Sequence, residues 1–491
     1  MTKIKIHLFG GLLALAAVLC LGFWFTSSKA EEPKDTSHAY SPVTFSSDGP
    51  LTFSADAFPS IGSFETGRTC DEATNSLNAY FTYEQVRKQL DESRPVASIE
   101  YINCFWADSD VPDDPLVALE ELIGGVFDSN VLYSYLRVAF SRAFVQGEQT
   151  DQYHRISAWA AYSFGKTAVE AYDRTGERRF VELYVEYFEL LLKLRDVELG
   201  YYDDYHGFSM NSWGSNNLKK KRWVAHITHF SVIMGPATSI ARRIKADAKL
   251  ADLDAFADRV VEYFDDAYPE YHSDRRKISK TNQLWYWRPV QNKFEATNHL
   301  HLQGEVLLNM YALTGNPSYS IMVDNIIEVF ENGVELDDQG LISWNYHPYF
   351  QVKQAMSDKN ARENSEPTWK AALTIPFLFR AEKDGFEVDN RVMAAIIKTI
   401  LEHVIVDNDY AITLHPDNGL SNPRPDQEWI FDRYKSETDT ITRFLVVTNV
   451  NPEISERIRK FVATRRDLLP NGWFSTPQAS EGYAFFLDND N

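Results

Sequence analysis

AYDRTGERRFVELYVEYFELLLKLRDVELGYYDD (residues 171–204) and MYALTGNPSYSIMVDNIIEVFENGVELDDQGLISW (residues 310–344) follow one plan. In each, an amphipathic helix ends at a Tyr-x-x-Thr-Gly turn, Tyr172 to Gly176 and Tyr311 to Gly315. A second helix then runs to a glycine, Gly200 or Gly340, followed by an extended aromatic segment. Recurring helix–turn–helix–loop units mark a helical array, because one hairpin cannot bury its apolar face alone and must stack on its neighbours. Arrays that close into a ring gather their loops at one end, and chemistry is expected there.

Working outward, apolar residues recur at three and four spacing in Leu116–Phe127, Val131–Phe144, Ile156–Ala171 and Phe180–Leu194. The same period runs through Phe230–Ile244, Leu253–Tyr263, Leu300–Leu313, Ile321–Phe330, Trp369–Phe379, Val392–Val404 and Thr440–Val447. Strand-like alternation is brief, at Leu341–Tyr346 and around Tyr483–Leu487. The pattern predicts a mainly α fold, an (α/α) toroid of six to seven helical hairpins with short β segments in its loops. A stacked solenoid is the rival, and it calls for more uniform repeats than these.

The chain has 491 residues, 44% hydrophobic and 14% aromatic, enough for a large core. Its net charge of -21 argues against nucleic acid as a partner, since phosphate binding needs a concentrated basic surface. The one dense basic cluster is Lys219-Lys220-Lys221-Arg222, read as a solvated loop or as a rim that steers anions. Lys3 and Lys5, the apolar run Leu8 to Phe25 and Ser28-Lys29-Ala30 form an export signal in residues 1–30, or an uncleaved membrane anchor. Residues 31–70 read as linker and N-terminal extension, and 71–491 as the toroid domain. The expected location is periplasmic or secreted, with membrane contact only through an uncleaved N-terminus. Cys70 and Cys104 then form one bridge or remain two buried thiols.

Three loops concentrate aromatic, imidazole and amide side chains: 200–223, 284–301 and 344–350. Such loops suit sugars, whose ring faces are apolar and whose edges are hydroxylated, or else they plug the ring. Trp213, Trp285 and Trp287 are candidate stacking surfaces, and Arg222 and Arg288 candidate cations. Asn298 and His299 stand at a helix start, where the backbone dipole favours an anion. On that helix His301 points about 200° from His299, so the pair cannot share a metal. His301 instead joins Asn298, Glu305 and Asn309 in one stripe. Extended geometry places Trp344 and Tyr346 on one face, and Asn345 and His347 on the other. His226 and His229 share a helical face but have no adjacent carboxylate to complete a zinc motif. No metal or other cofactor is called for. Glu366, Trp369 and Lys370 share a face at another helix start. Asp203, Asp204, Glu305 and Glu366 are the carboxylates from which a glycosidase would draw its pair. No nucleophile elbow, phosphate loop, dinucleotide fingerprint or His-Glu-x-x-His occurs.

With the duplicated Tyr-x-x-Thr-Gly turns, the Asn298-His299 helix start and the Trp344-Asn345-Tyr346 loop in hand, the chain resembles the bacterial (α/α)-toroid polysaccharide lyases. Their relatives include uronate epimerases and glycosidases, and the resemblance spans about residues 120–450. It implies an exported enzyme that cleaves an acidic, uronate-containing polysaccharide by β-elimination. Asn298 with His299 or His301 would neutralise the uronate carboxylate, and Tyr346, His226 or His229 would move protons. Hydrolysis, C5-epimerisation and carbohydrate binding without turnover are the alternatives.

Overall fold

The computed structural model describes residues 158–215, 222–277, 284–288, 293–347, 366–406, 409–411, 438–464 and a few positions around 129–136, 414 and 481–487. The export signal, the linker, Cys70, Cys104, the Leu116–Phe127 helix and Lys219–Lys221 lie outside the described residues.

Five hairpins make up the described body. The first pairs α1 (Ala158–Thr175) with α2 (Arg178–Lys193), and the second α3 (Ile227–Ala246) with α4 (Asp254–Ala267). Next come α5 (Thr297–Thr314) with α6 (Pro317–Glu331), and α7 (Thr368–Lys383) with α8 (Asn390–Thr399). The last pairs a 3-10 helix, Thr438–Asn449, with α9 (Pro452–Thr464). The first member of each pair packs on the first member of the next, giving an inner layer α1–α3–α5–α7–3-10 helix. Arg443 of the 3-10 helix donates to Ser163 Oγ on α1 at 3.0 Å, so the inner layer closes on itself. This is an (α/α) toroid.

The layers differ as their positions require. In α5 nearly every residue from Thr297 to Met310 is buried, as befits a helix packed on all sides. Outer helices such as α4 bury one stripe, Phe256, Val260, Tyr263, Phe264 and Ala267. Inner helices approach closely where small residues allow: a Cβ at Gly304 would meet the Phe377 ring, and one at Gly165 would meet Pro236 and Tyr184. No described helix is long and apolar enough to cross a membrane.

The repeated turn has the same hydrogen bonds in both copies. Thr175 Oγ1 donates to the Ala171 carbonyl at 2.7 Å and accepts from Glu177 N at 3.1 Å. Thr314 Oγ1 donates to the Met310 carbonyl at 2.7 Å and accepts from Asn316 N at 3.1 Å. Gly176 and Gly315 both sit at φ 67°, a left-handed cap that costs a glycine little. One hydroxyl thus satisfies a last-turn carbonyl and the second amide beyond the helix, the glycine amide between them going to the tyrosine carbonyl.

Short antiparallel ribbons line the loops: β1 (Gly214–Ser215) with β2 (Val224–Ala225), and β3 (Arg275–Lys277) with β4 (Leu284–Arg288) and β5 (Lys293–Phe294). β6 (Val334–Leu336) pairs with β7 (Ile342–Trp344), and β8 (Ile405–Val406) with β9 (Asp409–Tyr410). The alternation around Tyr483–Leu487 misleads: residues 484 and 485 are helical, with Ala484 and Leu487 buried.

The axis of the ring carries charge. Trp159, Tyr162, Ser163 and Lys166 fall on one α1 stripe. Lys166 Nζ lies 3.2 Å from Glu305 Oε2 of α5, with the Arg380 guanidinium of α7 at 3.9 Å. Burial alone would raise the Glu305 carboxyl, but Lys166 and Arg380 outweigh it and hold it below its ordinary value. Glu305 is therefore part of a buried ion network.

Candidate functional site

Every α-helix of the inner layer begins at the same end of the ring. Trp159 is among the first described residues of α1, and His229, His299 and Lys370 occupy the opening turns of α3, α5 and α7. The His299 imidazole is the hub. Its centroid lies 5.9 Å from Trp159 and 6.3 Å from Tyr346, edge-on to the tyrosine. Above the Tyr346 ring, Lys370 Nζ stands 3.5 Å from the centroid, a close cation–π contact. The His347 ring is 4.7 Å from that of Tyr346.

Glu295, which the sequence reading passed over, ties the histidines together. Its Oε2 is 2.9 Å from His299 Nδ1, and its Oε1 is 3.4 Å from His226 Nε2. A carboxylate accepts, so His299 presents Nδ1–H to it and keeps Nε2 as the basic nitrogen of the neutral ring. His226 caps α3: its Nδ1 accepts the Thr228 amide at 3.2 Å, which leaves Nε2 as the protonated nitrogen, on the side nearest Glu295. His229 follows, 5.2 Å from His226 between ring centres. Glu295 is itself pinned by its backbone, with Tyr286 O accepting its amide at 2.9 Å and its own carbonyl accepting Trp285 Nε1–H at 3.1 Å. The available signal was the Glu295–His299 spacing of four at a helix start.

Behind this row Glu366 is fully buried. Its Oε2 accepts the Trp344 indole N–H and the Thr374 hydroxyl, the latter at 3.0 Å. Burial pushes its carboxyl up to about 8, against those hydrogen bonds and the Lys370 charge. Glu366 N donates to Trp344 O, and Thr297 N to Tyr346 O. The segment carrying Trp344 and Tyr346 is thereby fastened to the starts of α5 and α7. Asn298 is buried beside this seam, and its Oδ1 has no hydrogen-bond partner.

Several sequence expectations need correction. His301 was grouped with the catalytic residues, yet it is fully buried between Phe330 and Phe377, with Nδ1 bonded to the Thr374 carbonyl at 3.0 Å. Burial lowers its pKa to about 4, so it packs as a neutral core side chain. Trp285 and Trp344 are buried and spend their indole N–H groups on Glu295 and Glu366, so they support the site and offer no face to a sugar. Glu366 is likewise a fastener. Trp213 packs among Phe188, Phe230 and Tyr263 and donates to Leu191 O, leaving only part of its edge near the loop pocket. Tyr346 and His347 do not alternate: a bend after β7 brings their rings together. Asn345 contributes its carbonyl, which accepts the Thr297 hydroxyl at 3.3 Å. Arg222 is exposed. Trp287 and Arg288 lie in β4, and their side chains are outside the described residues.

The 200–223 loop is held by two of the glycosidase candidates, buried Asp203 and exposed Asp204. Asp203 accepts the amides of Tyr205, His206 and Ala225 at 2.8, 2.7 and 2.6 Å. Asp204 accepts Trp223 N at 2.8 Å. His206 sits between Asp203 and Asp274, at 3.0 and 3.2 Å. A second overlooked carboxylate is Asp196, which accepts Gly214 N at 3.1 Å and the Trp223 indole N–H at 3.0 Å. Burial pushes its carboxyl up to about 7, against both of those bonds. Among the described residues no group of three His, Cys, Asp or Glu side chains is placed to hold a metal ion.

No known protein family matches the sequence, and no curated protein does. Solved structures with a similar chain trace include an alpha-1,6-mannanase of Salegentibacter sp. HEL1_6, crystallised as an inactive variant with alpha-1,6-mannotriose. It is 10% identical, with 73% of this chain and 100% of that one covered and a TM-score of 0.41. Cellobiose 2-epimerase of Bacillus thermoamylovorans B4167 is 12% identical, with 67% and 89% covered and a TM-score of 0.35. At that level of similarity the chemistry of this chain rests on its own residues.

Proposed function

We propose that this protein is a carbohydrate-active enzyme that moves protons at a sugar carbon. The observation that carries the reading is the facing pair His299 and Tyr346, with Glu295 fixing the imidazole and Lys370 over the phenol ring. An imidazole with its basic nitrogen set by a buried carboxylate can act as a general base, and a phenol beside it as a proton donor or acceptor. Asn298 and Lys370 supply an amide and a cation beside them. A uronate's C5 proton leaves only if its carboxylate is neutralised, and such groups do that. The first form of the reaction is therefore β-elimination from a uronate-containing glycan, with C5-epimerisation as its non-cleaving counterpart.

Hydrolysis is the second reading, favoured by Asp196, a carboxyl that burial keeps protonated near neutrality, as a general acid requires.

One assay separates the three. The protein is incubated with alginate, glucuronan, glycosaminoglycans and neutral glycans in deuterated water. β-Elimination yields the ultraviolet absorbance of an unsaturated uronate, epimerisation incorporates deuterium without shortening the chain, and hydrolysis yields reducing ends alone. Reducing ends without absorbance or carbon-bound deuterium would overturn the proton-transfer reading. Export to the periplasm or medium is part of the proposal, tested by fractionating cells and sequencing the mature N-terminus.

A further inference from the structure

Four Tyr, Phe or Trp side chains are exposed among the described residues, and three of them, Tyr202, Tyr205 and Phe208, stand in one short loop. They are 54%, 38% and 43% exposed. Single apolar groups scattered over a surface need no explanation, but three rings gathered on one turn do. The loop belongs to the end of the ring where the inner helices begin. It leads through β2 directly into α3, whose opening turn carries His229.

The three rings are contiguous and held in place. Phe208 O accepts the Asp203 amide at 3.0 Å, and Asp203 O accepts the Gly207 amide at 3.0 Å, which folds the chain back on itself. The Tyr202 hydroxyl lies over Gly207, 3.5 Å from where a Cβ would stand. Tyr205 and Phe208 both make T-shaped contacts with the His206 ring, at 4.8 and 6.2 Å between centroids. That ring is buried and clamped between Asp203 and Asp274, so it supports them from below. Asp203 accepts the Tyr205, His206 and Ala225 amides, so one carboxylate shapes the turn and joins it to the chain entering His226. A ligand landing here would meet a surface already ordered.

We infer that Tyr202, Tyr205 and Phe208 form a rim platform on which a glycan chain rests the sugar units that extend beyond the reacting one. Their rings offer apolar faces to sugar rings, while the phenol hydroxyls and the exposed Asp204 carboxylate on the same turn suit sugar hydroxyls. Area argues for such a ligand over a protein. Three rings about half-exposed present on the order of 300 Å², against roughly 800 Å² per partner in a stable protein interface. The inference rests on the carbohydrate reading above and deepens it: the substrate is a polymer, and affinity rises with its length.

The test is native electrophoresis of the full chain through gels containing alginate, glucuronan, a glycosaminoglycan or a neutral mannan, with retardation giving an apparent Kd. At least one polymer should retard the wild type. Tyr205→Ser and Phe208→Ser should each weaken that binding about 3–10-fold, the worth of one aromatic contact. Tyr202→Ser, which leaves the His206 contacts in place, should do likewise, and Phe208→Tyr, which keeps a ring, should bind as the wild type does. Retardation by no polymer, or retardation unchanged in all three serine variants, would overturn the inference. So would a dimer in sedimentation that Phe208→Ser splits, since the patch would then be a contact between copies. His299→Ala separates the platform from the catalytic reading: it should be retarded like the wild type and lose turnover. If the wild type is retarded through these rings yet converts no glycan, the proton-transfer proposal fails while the platform stands. If it converts a glycan and the serine variants bind unchanged, the platform fails alone.

Discussion

Lys370 Nζ and the Tyr346 ring, 3.5 Å apart, come from two elements that Glu366 fastens together at the end of β7 and the start of α7. The cation is thus delivered to the phenol by a buried hydrogen-bond seam and not by sequence proximity. Tyr346→Phe should lower kcat by about 10²–10⁴-fold, the usual contribution of a positioned proton-transfer group. Lys370→Met, which keeps the side-chain length and removes the charge, should lower kcat/KM for a uronate substrate more than for a neutral one. Steady-state kinetics on whichever substrate the assay above reveals decides both.

Glu295 touches two imidazoles with one carboxylate, so Glu295→Gln should disturb both at once. An amide can still accept at one atom but carries no charge to favour His299 as a cation. The kcat should fall about 10–100-fold, the scale seen when such orienting partners are removed, and the acid limb of the kcat pH profile should move to lower pH. A uniform drop with an unmoved profile would reduce Glu295 to a structural prop.

His206 makes one region of the fold sensitive to alkali. Burial lowers its basicity, but hydrogen bonds to Asp203 and Asp274 outweigh that and raise its pKa from 6.5 to about 9. Its folded-state value lies above the unfolded one, so the cation's contribution to stability is fully present below about pH 6.5 and is lost as pH rises through 9. Thermal melts from pH 6 to 10 should show His206→Asn converging on the wild type at the alkaline end. A constant gap across that range would sink the idea.

Gly304 and Gly165 are predicted to be intolerant of even one methyl group. At Gly304 the added carbon would lie 2.7 Å or less from atoms of the Phe377 ring, and at Gly165 it would press on Pro236 and Tyr184. Gly304→Ala should cost about 1–3 kcal/mol through overpacking, although alanine is the better helix former. Chemical denaturation with a matched exposed control, such as Gly385→Ala, would show whether the loss comes from contact or from backbone conformation. Gly385 has φ 91° and nothing within 4 Å, so its variant reports backbone strain alone.

The toroid was legible because its periodicity and its stop signals are local properties. The Thr-Gly turn needs only a hydroxyl reaching back four residues and a glycine in the left-handed region, and both copies display it. The inner and outer layers were less legible. A helix buried all round, such as α5, gives no single apolar stripe, so His301 read as equivalent to His299 although it faces Phe330 and Phe377. The loops were hardest. Tryptophans that look like sugar platforms in sequence also serve as small cores for irregular segments, and Trp285 and Trp344 do the latter. Asp196 and Glu295 escaped notice because an acidic residue in a charged stretch reads as solvated. Only long-range burial, against Trp223 for one and His226 for the other, reveals otherwise.

The threonine turns sit at the opposite end of the ring from the histidines, yet they bear on the chemistry. α1 and α5 stop at the same kind of threonine, Thr175 and Thr314. At about 1.5 Å per residue, the 18-residue α5 traverses about 27 Å from mouth to base. Trp159 stands 16 residues before Thr175 and His299 15 before Thr314, so the two side chains emerge at nearly matched heights above their stops. Inserting a single residue between His299 and Thr314 would swing the imidazole about 100° around its axis, away from Tyr346. The far-end stop acts as a ruler for the site, which would leave these helices free to change their side chains but not their length.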